Sequence, residues 1–271
     1  MTVQRAAVCG SPIRHSLSPM LHRAAYAALG LTDWSYDRVE LAAAELAPWL
    51  AELDDSWRGL SLTMPLKEVA FGIARTVSDL ARTVGSINTL VHTSDGWAGH
   101  NTDVGGITAA LTEAGVGRPR HAVVVGAGAT ARSAIAALTS MGVTEIVVMV
   151  RAAMRPDTLD VARQLGVVVR ERPLGAWPEM VDVVIGTVPP CAYAGALEDL
   201  PTALGEAAIL DCVYGHGPSP LLAAAAARGY APVPGTEMLL HQAAEQVRLM
   251  TGHDAPVDAM RAALLDALSE A

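Results

Sequence analysis

The chain has 271 residues, 51% of them hydrophobic, 17% charged and only 4% aromatic, with a formal net charge of −9. An apolar chain of this length builds a sizeable core, mainly from aliphatic side chains, which excludes disorder as its dominant state. The acidic balance excludes an electrostatic nucleic-acid surface, and no run of eighteen uncharged apolar residues offers a membrane-spanning helix.

In chain order, residues 6–10 (Ala-Ala-Val-Cys-Gly) predict a first strand. Ser18 is expected to cap a helix that has Pro19 at its first position and Gly30 at its end. Strands are predicted at 34–39 and 59–64, with a helix over 43–53 between them and a helical stretch from Pro65. Residues 87–93 and 96–101 read as a hairpin around Ser94-Asp95-Gly96. Residues 121–142 follow a pattern of strand, glycine-rich turn and helix, and further strands are expected at 145–151, 167–172, 181–188 and 207–214. Residues 236–271 contain no strand-like run and read as two helices separated near Pro256. Strands alternating with helices predict an α/β fold with parallel pairing through right-handed crossovers. The expected division is a first domain over 1–104, a dinucleotide-type domain over 105–236, and closing helices over 237–271 that return to the first domain.

Cys9, Cys191 and Cys212 form no CxxC pair and no disulfide framework. Free thiols in a reducing cytoplasm are expected, and the apolar stretch at Ala6–Cys9 is too short for a signal peptide. The eight histidines show no ligand spacing, so no metal is expected.

Gly126-Ala127-Gly128-Ala129-Thr130-Ala131 is a GxGxxA pattern between an apolar strand and an Ala-rich helix. Gly126 permits the tight turn, Gly128 lets the backbone approach a pyrophosphate, and the small Ala131 allows close helix–strand packing. NAD-binding versions carry an acid at the end of the second strand, roughly 20 residues on, to hold the ribose hydroxyls. Here that place holds Arg151, with Arg155 one helical turn later. A guanidinium fork suits a 2′-phosphate, so the expected cofactor is NADP(H).

Four polar islands interrupt the apolar first domain: Ser16-Leu17-Ser18-Pro19, residues 61–67, residues 85–89 and residues 101–105. Each sits at or just beyond a strand end, where open α/β sheets bind ligands. Their hydroxyls, amides, one Lys and one Asp suit a small polyhydroxylated acid.

With these motifs the chain resembles the shikimate dehydrogenase family over essentially its whole length and in motif order. Ser16-Leu17-Ser18-Pro19 is similar to the family's SxSxP, and Thr63-x-Pro65-x-Lys67 to its TxPxK. Asn88-Thr89 and Asn101-Thr102-Asp103 resemble GAxNT and GxNTD, and residues 150–155 resemble NRTxxR. Asp211 to Tyr214 with Ser219 to Leu222 resembles DxxYxPxxTPLL, and residues 235–242 resemble GxxMLxxQ. Four positions depart: Ser61 stands where many members have Asn, Val150 and Ala152 replace the Asn and Thr of NRT, and Gly186 replaces a polar residue.

The resemblance implies an N-terminal α/β substrate domain, a Rossmann-type NADP-binding domain, and NADPH-dependent reduction of 3-dehydroshikimate to shikimate in the aromatic (chorismate) pathway. It implies Lys67 as proton donor, with Asp103 binding the same oxygen. Ser16 and Ser18 would hold the carboxylate, Thr63, Asn88, Thr102 and Gln242 the ring hydroxyls, and Tyr214 the carboxylate end. Residues 126–131, Arg151, Arg155, Val213, Gly235 and Met238 would contact the cofactor. The expected state is a monomer or homodimer. Alternatives are a quinate or aminoshikimate dehydrogenase of the same fold and a catalytically silent NADPH-binding regulator. Two serines at the carboxylate site favour shikimate, and retention of both Lys67 and Asp103 speaks against the regulator. An α/β folate dehydrogenase would need a pteridine pocket, of which the sequence shows no sign.

Overall fold

The computed structural model describes residues 3–215 and 217–269. The expected outer limits at residues 1 and 271 lie outside the described residues. The chain divides into two compact units: Met1–Arg82, Ser86–Thr102 and Leu239–Ala271 form the first, and Thr83–Gly85 with Asp103–Met238 the second. Asp103, Val104, Glu237 and Met238, expected with the first domain, therefore fall in the second unit, as do residues 83–85. The physical reason is packing: Val84, Val104, Ile107 and Met238 are buried in the second unit's core.

The first unit begins β1 (Gln4–Gly10), α1 (Ser18–Ala28), β2 (Trp34–Glu40), α2 (Leu46–Ala51), β3 (Trp57–Leu62), α3 (Leu66–Val69) and β4 (Thr76–Val77). Then come α4 (Asp79–Val84), β5 (Thr89–Thr93) and β6 (Gly96–His100). The sheet order is β2-β1-β3-β5-β6-β4. Pairing is parallel from β2 through β1 to β3, and antiparallel for β3–β5 and the β5–β6 hairpin. Period-two alternation along β1 explains the layers. Ala6 and Val8 face a core shared with Tyr26 of α1, Tyr36 and Met250, while Ala7 and Cys9 face one built from Leu46, Leu50, Leu60 and Leu62.

Several local expectations are corrected. Ser18 is the first helical residue of α1, not its cap; Leu17 occupies the cap position, and the Ser16 hydroxyl accepts from the Ser18 N–H at 3.3 Å. The helix expected over 43–53 is a 3₁₀ turn at Ala43–Glu45 followed by α2, which places Pro48 in a first turn where its missing N–H is harmless. The strand expected to reach Met64 ends at Leu62, and the helical stretch after Pro65 is only α3 plus a 3₁₀ turn.

The second unit continues with α5 (Asp103–Glu113), β7 (Ala122–Val125), α6 (Ala129–Ser140), β8 (Glu145–Val150), α7 (Pro156–Leu165) and β9 (Val168–Pro173). It is completed by β10 (Val183–Gly186), β11 (Ala208–Asp211), α8 (Pro220–Ala227) and β12 (Ala231–Pro234). The order β12-β11-β10-β7-β8-β9 is parallel throughout, the doubly wound arrangement with its switch point between β7 and β10. Both faces are covered. Val124, Ile185 and Leu210 enter a core with Ile135 of α6, while Val123, Val184 and Ile209 face Leu221 of α8. Strand β12 is not among those expected, and it carries Pro232 and Pro234. It lies at the sheet edge, bonded only to β11, where proline is tolerated.

Helices α9 (Gly235–Thr251) and α10 (Val257–Ser269) close the chain, and α10 packs on α1. Among the described residues, no helix is long and apolar enough to cross a membrane.

Candidate functional site

In the first unit Asn88 and Thr102, from two of the four polar islands, meet Gln242 of α9 in a buried cluster. Asn88, Thr102 and Gln242 are 1%, 2% and 7% exposed. The Asn88 amide donates from Nδ2 to Thr102 Oγ1 at 2.8 Å and to Gln242 Oε1 at 3.5 Å, and Thr102 Oγ1 donates to Gln242 Oε1 at 3.5 Å. The orientation of these amides follows from backbone groups of fixed polarity. The Thr102 N–H donates to Asn88 Oδ1 at 2.8 Å, so the acceptor end of that amide faces it. Gln242 Nε2 donates to the Leu239 carbonyl at 2.9 Å, which turns its oxygen toward Asn88 and Thr102.

Lys67 is half-buried on the short α3, and its carbonyl accepts from the Ile87 N–H at 2.9 Å, which holds α3 against the strand leading into Asn88. Thr63 sits beyond β3, its N–H bonded to the Cys9 carbonyl, and its methyl lies so close to Gly10 that a side chain there would collide. Ser16 and Ser18 are buried, and the Ser16 carbonyl is clamped by Arg38, whose Nε and Nη2 donate at 2.9 and 2.6 Å.

In the second unit the glycine-rich turn follows β7. Gly126 has φ +111°, and a Cβ there would stand 2.5 Å from Thr187 Oγ1, so only glycine fits. Gly128 caps α6 in an extended conformation without any side-chain cap, and a Cβ built on it meets nothing within 4 Å. The first-turn N–H groups of Ala129, Thr130 and Ala131 are therefore available to an anion, and Ala131 itself is packed in the core. A cavity of about 270 Å³ opens here, lined by Gly126–Gly128, Arg151, Ala152, Ala153 and Arg155. Among the described residues, no carboxylate lines it. Thr158, fully buried on α7, donates to the Ala127 carbonyl at 2.9 Å and steadies the turn.

Asp103 opens α5 and is 4% exposed. Val213 and Tyr214 lie on the segment after β11, which Asp211 organises: its Oδ1 accepts from the Val213 N–H at 3.2 Å and its Oδ2 from the Ser219 hydroxyl at 2.5 Å. Burial pushes the Asp211 carboxyl above the usual range, opposed by these two bonds. Gly235 is needed for close approach, since a Cβ would meet the Asp211 carbonyl at 2.5 Å. Met238 is a buried member of the second unit's core.

Comparison with known proteins adds a decisive likeness. The family model described as the shikimate dehydrogenase substrate binding domain matches residues 8–90, and the shikimate 5′-dehydrogenase C-terminal domain matches residues 235–265. A shikimate dehydrogenase (NADP(+)) of Xanthomonas campestris is 36% identical, covering 97% of this chain and 97% of its own. The chain belongs to the shikimate dehydrogenase family. The crystal structure of Mycobacterium tuberculosis shikimate dehydrogenase is similar with a TM-score of 0.89 at 40% identity, over 97% of this chain and 99% of that one. The Thermus thermophilus shikimate 5-dehydrogenase in complex with NADP(H) and shikimate gives 0.85 at 31% identity, over 98% and 100%.

Within the shikimate dehydrogenase family pattern, two departures now have local explanations. Ser61 is not an open gap: its hydroxyl accepts from Tyr36 at 2.5 Å and donates to Gln246 Oε1 at 2.7 Å. At Gly186 any side chain would run into the Tyr193 hydroxyl and Leu221 Cδ2, so glycine there goes with Tyr193. Val150 and Ala152 line the cavity and offer it only apolar side chains. Sequence reasoning missed Gln246, Tyr36, His22 and Thr158, and gave Thr89, within its motif, no role of its own. One signal was present for Gln246: it follows Gln242 by four residues, which puts both on one helix face.

Proposed function

We propose that this chain reduces 3-dehydroshikimate to shikimate with NADPH, reversibly, in the aromatic (chorismate) pathway of the cytoplasm. The observation that carries this reading is the buried Asn88–Thr102–Gln242 cluster. Two amides and a hydroxyl, bonded to one another at up to 3.5 Å, can exchange those long contacts for the hydroxyls of a polyhydroxylated ring. Family membership supports the same substrate class, and three free cysteines suit a reducing compartment.

Ser16 and Ser18 hold the substrate carboxylate at the N-terminus of α1, and Tyr214 completes that end. Thr63 joins the hydroxyl-binding set. Hydride delivery to a ketone develops alkoxide character on its oxygen, so a proton must arrive there. Lys67 donates it, and Asp103 binds the same oxygen; in the oxidative direction the neutral Lys67 amine takes the proton back. NADPH, when bound, supplies the hydride. The residues present fit it: open space over Gly128 and the uncapped N–H groups of α6 suit the pyrophosphate, and Arg151 and Arg155 suit a 2′-phosphate. Val213, Gly235 and Met238 serve the nicotinamide end.

Steady-state assay of shikimate and quinate, each with NADP⁺ and NAD⁺, tests the reading. Shikimate with NADP⁺ is expected to give the highest kcat/KM. A higher value for quinate, or for NAD⁺, overturns the corresponding half of the proposal.

A further inference from the structure

Helix α9 carries two glutamines one turn apart, and the second has no role in the proposed substrate contacts. Gln246 is 1% exposed, and all four hydrogen-bonding positions of its amide are engaged. Nε2 donates to the Asn88 carbonyl at 3.3 Å and to Thr89 Oγ1 at 3.0 Å. Oε1 accepts from Ser61 Oγ at 2.7 Å and lies 3.4 Å from His22 Nε2. A backbone carbonyl can only accept, so the Asn88 carbonyl fixes which end of the Gln246 amide carries nitrogen. The His22 ring, neutral because burial lowers its pKa to about 3, is thereby set as the Nε2–H tautomer.

The bonds continue in one direction. The Tyr36 hydroxyl donates to Ser61, and Ser61 to the Gln246 oxygen. The Gln246 nitrogen donates to Thr89, and Thr89 to Asn88 Oδ1 at 2.9 Å. Asn88 Nδ2 donates to Thr102, and Thr102 to Gln242. An amide turned by a half-rotation has nearly the same shape but reversed polarity, so shape alone does not orient Asn88. Its acceptor end is held by two donors, the Thr102 N–H and the Thr89 hydroxyl. Gln246 Nε2 donates both to that hydroxyl and to the adjacent Asn88 carbonyl, which leaves the Thr89 hydrogen directed at Asn88 Oδ1.

We infer that Gln246 is a positioning residue that, through Thr89, reinforces the polarity which the Thr102 N–H gives the Asn88 amide presented to the substrate's ring hydroxyls. With its own positions filled, Gln246 does not touch substrate. The inference rests on the reading of Asn88, Thr102 and Gln242 as the hydroxyl-binding set.

The test is calorimetric titration of shikimate, and separately of NADP⁺, into the full chain, with thermal melting of each variant. Gln246→Met keeps the volume and removes the donors and acceptor; Thr89→Val removes only the relay hydroxyl, and Thr89→Ser keeps it. Gln246→Met and Thr89→Val are each expected to weaken shikimate binding about fivefold to tenfold, the effect of one lost or misdirected hydrogen bond. Thr89→Ser should stay within about twofold of wild type, as should NADP⁺ binding in every variant. A folded Gln246→Met or Thr89→Val protein that binds shikimate normally overturns the inference, and so does equal weakening of NADP⁺, which marks a general structural defect. If Gln246→Met does not fold, the Thr89→Val and Thr89→Ser pair decides. Asn88→Ala separates the two levels. If it leaves shikimate affinity unchanged, the hydroxyl-binding reading falls and takes this inference with it. If it weakens binding while Thr89→Val does not, the inference alone falls.

Discussion

In the first unit, the proposed binding groups are side chains: Asn88, Thr102 and Gln242, backed by Gln246, form a buried hydrogen-bonded network. In the second, they are backbone N–H groups around Gly126–Ala131, with an open cavity of about 270 Å³ beside them. The difference follows from what each region is proposed to hold. Ring hydroxyls are told apart by donor and acceptor direction, so the first region needs fixed polarity at every member. A pyrophosphate is a diffuse anion, so the second needs room, a helix N-terminus and the right φ. Substitutions should therefore act through hydrogen-bond chemistry in one region and through sterics in the other.

The largest effect is expected where chemistry rather than binding is removed. Lys67→Met should lower kcat by about 10²–10⁴-fold with little change in the shikimate KM, because general acid–base help acts in the transition state. Stopped-flow and steady-state turnover check this, and near wild-type turnover would sink the assignment. The steric side of the comparison is sharpened by two neighbouring glycines. Gly126→Ala forces φ +111° on an alanine whose Cβ would stand 2.5 Å from Thr187 Oγ1. A loss of roughly 1–3 kcal/mol of stability is expected from the strained backbone alone. Gly128→Ala meets no atom within 4 Å and has an ordinary φ of −91°, so melting should barely move. Its methyl would instead occupy the pyrophosphate approach, raising the NADP⁺ KM about tenfold, or 1.4 kcal/mol. If Gly128→Ala binds NADP⁺ normally, the phosphates do not pass there.

The same contrast explains what could be read in the sequence. The glycine turn is local: six consecutive residues carry the strand end, the φ requirement and the helix start, so the pattern is visible in one window. The short apolar runs of β1, β7 and β10 likewise need only neighbours, and their alternation with helical stretches predicts the α/β fold. The amide network is assembled from residues 22, 36, 61, 88, 89, 102, 242 and 246, whose meeting depends on topology. The motifs point to the members proposed to face the ligand, Asn88, Thr102 and Gln242, while Tyr36, His22 and Gln246 lie outside them. Short-range reasoning also misread Ser18 as a cap, because Ser before Pro is the usual cap pattern and the cap position is instead filled by Leu17. The strand β12 carries two prolines, whose cost vanishes only at a sheet edge that the sequence does not announce.

Acid sensitivity offers the next break between the regions. His22 is fully buried, stacked on Tyr36 with ring centroids 3.9 Å apart, and burial lowers its pKa to about 3. In the unfolded chain the ring titrates near 6.5. The folded value is depressed, so the unfolded state takes up the proton first as pH falls. Stability from this group is therefore complete above about pH 6.5 and lost between there and about pH 3, at about 1.4 kcal/mol per pH unit. His22→Phe keeps the stack and removes the titration. Urea unfolding at pH 7, 6, 5 and 4 should show a slope shallower by about one proton in the variant; an unchanged slope would show that His22 does not titrate on unfolding.

The smallest effect belongs to the carboxylate end, where the two modes meet in one residue. Ser16 offers a side-chain hydroxyl, but its backbone is held independently: Arg38 donates twice to its carbonyl, at 2.9 and 2.6 Å. Ser16→Ala should therefore leave the start of α1 in place and lose only the hydroxyl, including its 3.3 Å contact from the Ser18 N–H. A loss of about 0.5–1.5 kcal/mol in shikimate binding is expected, roughly twofold to twelvefold in Kd. The charge of the ligand discriminates further. A hydrogen bond to a carboxylate is worth more than one to a neutral amide, so the carboxamide analogue of shikimate should lose less in the same variant. Titration of both ligands into wild type and Ser16→Ala gives the comparison directly. Equal losses for acid and amide would show that the hydroxyl serves shape or the helix start, and that the negative charge is held by Ser18 and the N–H groups of α1 instead.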